Sequence, residues 1–189
     1  EKDELYAKED FTDEDGERIP LTVAGCDREK GTVKIIFQIV GATTEKLNHK
    51  EVGDCLADFA GPLGKPTETE GLRKVCVVGG GVGCAIALPV AQKLHEQGCE
   101  VHSIIGFRNK DLVILEDEFA AYSDRLTVMT DDGSHGTKGV VTVPLKEAIE
   151  SGELERGIGL CGSGEGISMT LNKHQAIRAA LCWIPEIAK

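Results

Sequence analysis

"VCVVGGGVGCA", residues 75–85, decides the fold. Four apolar residues run without a break into three glycines, and Gly83 follows after Val82. An unbroken apolar run bounded by glycine reads as a strand buried on both faces, as in a parallel sheet. The next segment, "LPVAQKLHEQG" (88–98), reads as a helix, with Pro89 near its first turn and Gly98 just past its end. Strand, glycine turn and helix in this order place Gly79, Gly80, Gly81 and Gly83 where doubly wound sheets bind ligands. Glycine lets the backbone approach a phosphate closely, and the helix dipole points its positive end at the turn. The run is not a full dinucleotide fingerprint. The third glycine of G-x-G-x-x-G would fall at Cys84, and the following strand ends in "GFR" rather than an acidic residue. A glycine-rich turn that binds nothing is the competing reading.

Outward from this stretch, strand and helix patterns alternate. "CEVHSIIGF" (99–107) reads as a strand, and "KDLVILEDEFAAYS" (110–123) as a helix with Leu112, Leu115, Phe119 and Tyr122 at helical spacing. "RLTVMTDDGSHGTKG" (125–139) is a strand running into a glycine turn, and "VTVPLKEAIESG" (141–152) a helix after Pro144 that stops at Gly152. "RGIGLCG" (156–162) is a strand, "EGISMTLNKHQ" (165–175) a helix and "AIRAALCW" (176–183) a last strand. Alternation of this kind implies βαβ units around a parallel sheet.

Upstream the rhythm differs. "RIPLTVAG" (18–25), "GTVKIIFQIVG" (31–41) and "GDCLADFAGPLG" (53–64) read as three strands, each rich in apolar residues and bounded by turn formers. "TTEKLNHKEVGD" (43–54) predicts a short helix capped by Thr43 or Thr44. Residues 1–17 are mostly charged and read as a loop or frayed edge. The turn-rich "GPLGKPTETEG" (61–71) separates a 1–66 domain from a 67–189 domain.

The chain has 189 residues, enough for two small domains, and a formal net charge of −11. Such acidity disfavours nucleic acid and anionic membrane as partners, because both need a basic face. A few backbone N–H groups can still hold a diphosphate. No apolar stretch reaches membrane-spanning length. Seven cysteines, none in a C-x-x-C pair, argue against a zinc knuckle and for a reducing, cytoplasmic setting.

Five blocks, in order, carry a resemblance: "ERIPLTVAGCDREKGTVKIIFQIVG", "GDCLADFAGPLGKP", "VCVVGGGVGCA", "IIGFRNKDLVILEDE" and "TDDGSHGTKGVVT". Over about 16–148 the chain resembles the ferredoxin-reductase-like flavoprotein subunits. These include the small subunit of NADH-dependent ferredoxin:NADP oxidoreductase, sulfide dehydrogenase subunits and dihydroorotate dehydrogenase electron-transfer subunits. The resemblance implies a flavin-binding β-barrel followed by a nicotinamide-dinucleotide-binding sheet, with FAD and NAD(P)H as cofactors and a larger redox subunit as partner. It implies that Arg18 pairs with an FAD phosphate and that Pro20, Leu21 and Thr22 line the flavin ring. Gly41, Thr43 and Thr44 match the loop at the FAD pyrophosphate. The Gly79–Gly83 turn matches the dinucleotide site, with Arg108, Asp131 and Asp132 near the bound nucleotide. The alternative for Arg18 is a surface salt bridge, and for the two aspartates plain turn chemistry. The family's opening barrel strands and its iron–sulfur cysteine run have no counterpart here, so a truncated barrel is expected.

A second resemblance lies in "ESGELERGIGLCGSGEGISMTLNKHQAIRAALCW" (150–183), which is similar to ribose-5-phosphate isomerase type B. There it implies Cys161 as the base that moves a proton between sugar carbons, with neighbouring glycine N–H groups stabilising the charge. The alternative for Cys161 is a buried thiol before a structural turn. Together these readings predict an α/β protein: a partial antiparallel β-barrel subdomain, then a Rossmann-like parallel sheet with flanking helices. The expected function is flavin-dependent electron transfer from NAD(P)H. A sugar-phosphate isomerase or a non-catalytic nucleotide-binding subunit are the alternatives.

Overall fold

The computed structural model describes residues 8–12, 18–63, 67–152, 157–160, 168–169 and 172–173. The chain divides into two compact units, Glu1–Glu68 and Thr69–Lys189.

The first unit is an antiparallel sheet of four strands: β1 (Lys8–Thr12), β2 (Arg18–Asp27), β3 (Thr32–Ile35) and β4 (Asp58–Leu63). Their order is β3-β2-β1-β4. The three strands read from the sequence are present, although β3 ends at Ile35, well before the Val40 that bounds its apolar run. One reading is corrected. Residues 8–12 are not a loop but an inner strand, paired with β2 through Phe11↔Ile19 and with β4 through Phe11↔Phe59. Lys8, Glu9 and Asp10 disfavour a strand by propensity, but a ladder on both sides satisfies the backbone and overrides it. Between β3 and β4 lies the short helix α1 (Ala42–Asn48). Thr44 closes its start: its Oγ1 accepts the Val40 and Gly41 N–H groups at 3.0 and 3.1 Å and donates to Gly41 O.

The second unit is a parallel sheet of β5 (Lys74–Gly80), β6 (Glu100–Phe107), β7 (Arg125–Thr130), the two-residue β8 (Thr137–Lys138) and β9 (Gly157–Leu160). Its order is β8-β7-β6-β5-β9. Helix α2 (Cys84–Glu96) joins β5 to β6, α3 (Glu116–Ala121) joins β6 to β7, and α4 (Thr142–Glu150) leads to β9. Side-chain alternation along β5 sorts the helices onto two faces. Gly79 faces Cys84 and Ala87 of α2. Cys76 and Val78 point the other way, into a cluster with Ile104, Met129, Leu145 and Ala148 beneath α4. Residues 75–78 are all buried, as a strand covered on both faces must be.

Two helices differ from their sequence patterns. Helix α2 begins at Cys84, so Pro89 lies inside it rather than near its first turn. The missing N–H costs about 3 kcal/mol in a helix interior. Buried Leu88, Val90 and Leu94, at roughly 1.5–3 kcal/mol each, outweigh it. The Leu112/Leu115/Phe119/Tyr122 spacing does not form one helix. Leu115 has φ 62°, which breaks the path between a 3-10 turn at Lys110–Leu112 and α3. Only Phe119 reaches the core, while Leu112 is exposed. The helix read at 165–175 and the strand at 176–183 lie almost wholly outside the described residues.

Candidate functional site

The strand order reverses at β5. The chain moves from β5 to β6 on one side, then returns to place β9 on the other, with Gly79 opposite Leu160. The carboxyl end of β5 is therefore the switch point where open α/β sheets leave a crevice. The glycine turn occupies it. Gly80 ends β5 opposite Gly106, Gly81–Gly83 form a 3-10 turn, and α2 starts at Cys84.

Each glycine does different work. A Cβ on Gly79 would lie 3.0 Å from Cys84 Sγ and 3.1 Å from Cys84 Cα, so its hydrogen lets α2 pack onto the strand. This is the close helix–strand contact that a third fingerprint glycine provides elsewhere. Here Cys84 holds that third position and Gly79 supplies the room. Cβ atoms on Gly80 or Gly81 would meet nothing within 4 Å. The turn thus faces open space, and the first turn of α2 carries no acidic side chain to offset its positive end. Both features fit a diphosphate group.

The other expected nucleotide residues lie on the same carboxyl edge. Arg108 follows β6 and Asp131 follows β7, one strand and two strands from the glycine turn. Both are exposed and form no ion pair among the described residues. Asp132 instead builds its own turn: Oδ1 accepts the Ser134 N–H at 2.9 Å and the Ser134 hydroxyl at 2.6 Å. These bonds, with a smaller contribution from Lys138, hold its carboxyl below the usual range. The sequence reading missed two further residues on this edge, His135 and Glu116, whose side chains meet at 2.8 Å. They are 19 positions apart and no motif links them.

In the first unit, Pro20, Leu21 and Thr22 sit in the middle of β2 opposite Asp10, Glu9 and Lys8. Arg18 pairs with Asp58 across the intervening Thr12 of β1, with both side chains about half exposed. Thr43 is buried, and Gly41 borders open space. Cys161 lies outside the described residues. Among the described residues no cluster of three or more His, Cys, Asp or Glu side chains fits a metal ion, and no helix is long and apolar enough to cross a membrane.

Burial pushes the Cys84 thiol up to about 12 despite the nearby Gly106 N–H and its place at a helix start. Buried and raised in this way, the Cys84 thiol carries little reactive thiolate near neutral pH. Alkylation of the native protein, read by peptide mass spectrometry, is expected to label exposed Cys26 and Cys55 and to spare Cys76, Cys84 and Cys99.

Comparison with known proteins agrees with the fold. The chain is 50% identical over 129 residues to a dihydroorotate dehydrogenase B (NAD(+)) electron transfer subunit homolog of Thermotoga maritima, covering 68% of this chain and 45% of that protein. It is 36% identical over 160 residues to the Streptococcus pneumoniae electron transfer subunit of dihydroorotate dehydrogenase B, covering 83% and 62%. The solved NADH-dependent reduced ferredoxin-NADP oxidoreductase superposes with a TM-score of 0.75 at 36% identity, covering 90% of this chain and 62% of that one. The cytochrome b5 reductase domain of Ulva prolifera nitrate reductase shares the fold alone: TM-score 0.53, 15% identity, 72% of this chain and 65% of that one. The Ribose/Galactose Isomerase family matches residues 130–189. The chain spans about half the length of the Thermotoga relative. Over the region these proteins share, the chain is a homologue of the dihydroorotate dehydrogenase B electron-transfer subunits, built on the ferredoxin-reductase-like fold.

Proposed function

We propose that this chain carries the flavin- and nicotinamide-binding part of an electron-transfer subunit working in the cytoplasm. NAD(P)H binds with its diphosphate over the Gly79–Gly83 turn, flanked by Arg108, Asp131 and Asp132. FAD binds to the first unit through Arg18, Pro20, Leu21, Thr22, Gly41, Thr43 and Thr44. A bound flavin supplies the two-electron chemistry that a nicotinamide needs and that protein side chains lack. Electrons then leave to a larger redox subunit. The observation that carries this reading is the open Gly80–Gly81 turn at the switch point, ahead of a helix start with no carboxylate of its own. Arg18 suits a phosphate even while paired: its guanidinium has five donors, and the Asp58 contact occupies one side chain oxygen and leaves donors to spare. The Gly41 N–H is already taken by Thr44 Oγ1, so the phosphate contact at that loop falls to other backbone donors.

Reconstitution tests the reading. The purified chain is expected to take up FAD with a flavin absorbance band, and anaerobic NADH or NADPH is expected to bleach it. A chain that takes up no FAD and shows no thermal shift with either nucleotide refutes it. Nucleotide binding without bleaching points to a non-catalytic binding subunit. The isomerase-family match at 130–189 favours a second reading, in which Cys161 is the base of a sugar-phosphate isomerase. It requires aldose–ketose turnover in a coupled assay and its loss in Cys161→Ala.

A further inference from the structure

Two turns meet where β6 and β7 end. The chain leaves β6 through Arg108–Leu115 and leaves β7 through Asp131–Gly139. Their bases are tied by the Asp131 N–H to Phe107 O at 3.0 Å, the Asp132 N–H to Arg108 O at 3.3 Å and the Lys110 N–H to Ser134 Oγ at 2.8 Å. Farther out, one side-chain contact joins them: His135 Nε2 lies 2.8 Å from Glu116 Oε2. Glu116 opens α3 directly after Leu115, which alone among the described non-glycine residues has a left-handed φ, 62°. A leucine held there costs about 1–2 kcal/mol and persists only where its surroundings over-determine the backbone. A half-exposed His–carboxylate contact contributes about 0–1 kcal/mol to stability, so it does not balance that cost as a folding contact.

We propose that Glu116 is a positioning residue of the nucleotide edge: through His135 it holds the Asp131–Gly139 turn against the segment after β6, so that Arg108 and Asp131 stand on one pre-set surface. This rests on the dinucleotide reading above. A turn ordered before binding spares the ligand the cost of ordering it, whereas a turn that is competent only part of the time weakens apparent affinity by that fraction. The effect therefore falls on nucleotide affinity, not on the redox step or the fold.

The test uses the FAD-reconstituted chain and the variants Glu116→Ala, His135→Ala, both together, and Glu116→Gln. Each is titrated with NADH and NADPH, reduced in single turnover at saturating nucleotide, and unfolded thermally. Each alanine variant is expected to raise Kd about fivefold, with the double variant no worse than the singles, the limiting rate unchanged and Tm unchanged. Glu116→Gln, whose amide oxygen still accepts from His135, is expected to restore most of the affinity. If the wild type binds nucleotide and Glu116→Ala binds within twofold of it, the positioning role is wrong while the dinucleotide reading stands. A loss of affinity matched by a fall in Tm also overturns it, because the contact is then structural. A wild type that binds neither nucleotide removes both ideas together.

Discussion

Gly80→Val is expected to fold normally and to lose nucleotide binding. Gly80 has φ −130° and ψ 126°, extended backbone that valine adopts readily. A Cβ there meets nothing within 4 Å, so no packed neighbour is displaced. Thermal unfolding should match the wild type within a few degrees. The new isopropyl group, however, takes up part of the open space beside the turn. A diphosphate must bring its oxygens within roughly 3 Å of backbone amides at the turn to be held, and the valine leaves less room for that approach. NADH Kd is expected to rise by a factor of about 100, equivalent to about 2.7 kcal/mol. Calorimetric titration measures it directly. Gly79→Ala provides the contrast one residue earlier, because its Cβ presses on the Cys84 backbone at 3.1 Å and wedges α2 from the sheet. That variant loses stability first and binding second. Unchanged affinity in a folded Gly80→Val protein would place the ligand somewhere other than this turn.

The contrast between these adjacent glycines also shows where sequence reading stops. The apolar run 75–78 announces a buried parallel strand, because burial on both faces demands side chains apolar in both directions. Which glycine packs and which stays open depends on where Cys84 settles, and periodicity carries no trace of that. Helices α2 and α4 were legible from helical patterns that stop at Gly98 and Gly152, and the strands 18–27, 32–35 and 58–63 from apolar residues bounded by turn formers. Strand β1 was not, since Lys-Glu-Asp-Phe-Thr has no apolar face to betray a strand whose pairing lies on both its edges. Helix α3 failed differently: the 3.6-residue spacing is real, but Leu115 turns left-handed and throws Leu112 off the helical face. Asp132 matched its plain reading as a turn former, with Ser134 two residues on as its partner. The Glu116–His135 contact joins two turns across the sheet edge, and only the register of β6 on β7 brings them together.

That register also makes Gly136 an exacting position on the carboxyl edge of the sheet. Gly136→Ala is expected to destabilise the protein by roughly 2–5 kcal/mol, the sum of a left-handed backbone penalty and a broken turn. Gly136 has φ 62°, and a Cβ there would lie 2.3 Å from the Val128 carbonyl oxygen and 2.9 Å from its carbonyl carbon. Val128 cannot retreat, because β7 is bonded to β6 through Val128↔Ile105 and to β8 one residue later. The turn must lift instead. Lifting it breaks the Thr130 hydroxyl's bond to His135 O at 2.6 Å and the His135 N–H bond back to Thr130 Oγ1 at 3.2 Å. Thr130 is fully buried, so its hydroxyl is left without a partner in the core. Gly133→Ala is milder: its φ of 77° carries a similar left-handed penalty, but its tightest contact, Lys138 Cβ at 3.0 Å, is far less severe than the 2.3 Å collision with the Val128 carbonyl oxygen at Gly136. Urea unfolding is expected to show a lower midpoint for Gly136→Ala with an unchanged slope. Gly136→Asn separates the two causes, because asparagine tolerates the left-handed region but still carries a Cβ. If the collision with β7 dominates, asparagine is as damaging as alanine; if asparagine recovers most of the loss, backbone strain was the larger part and the contact with Val128 can relax.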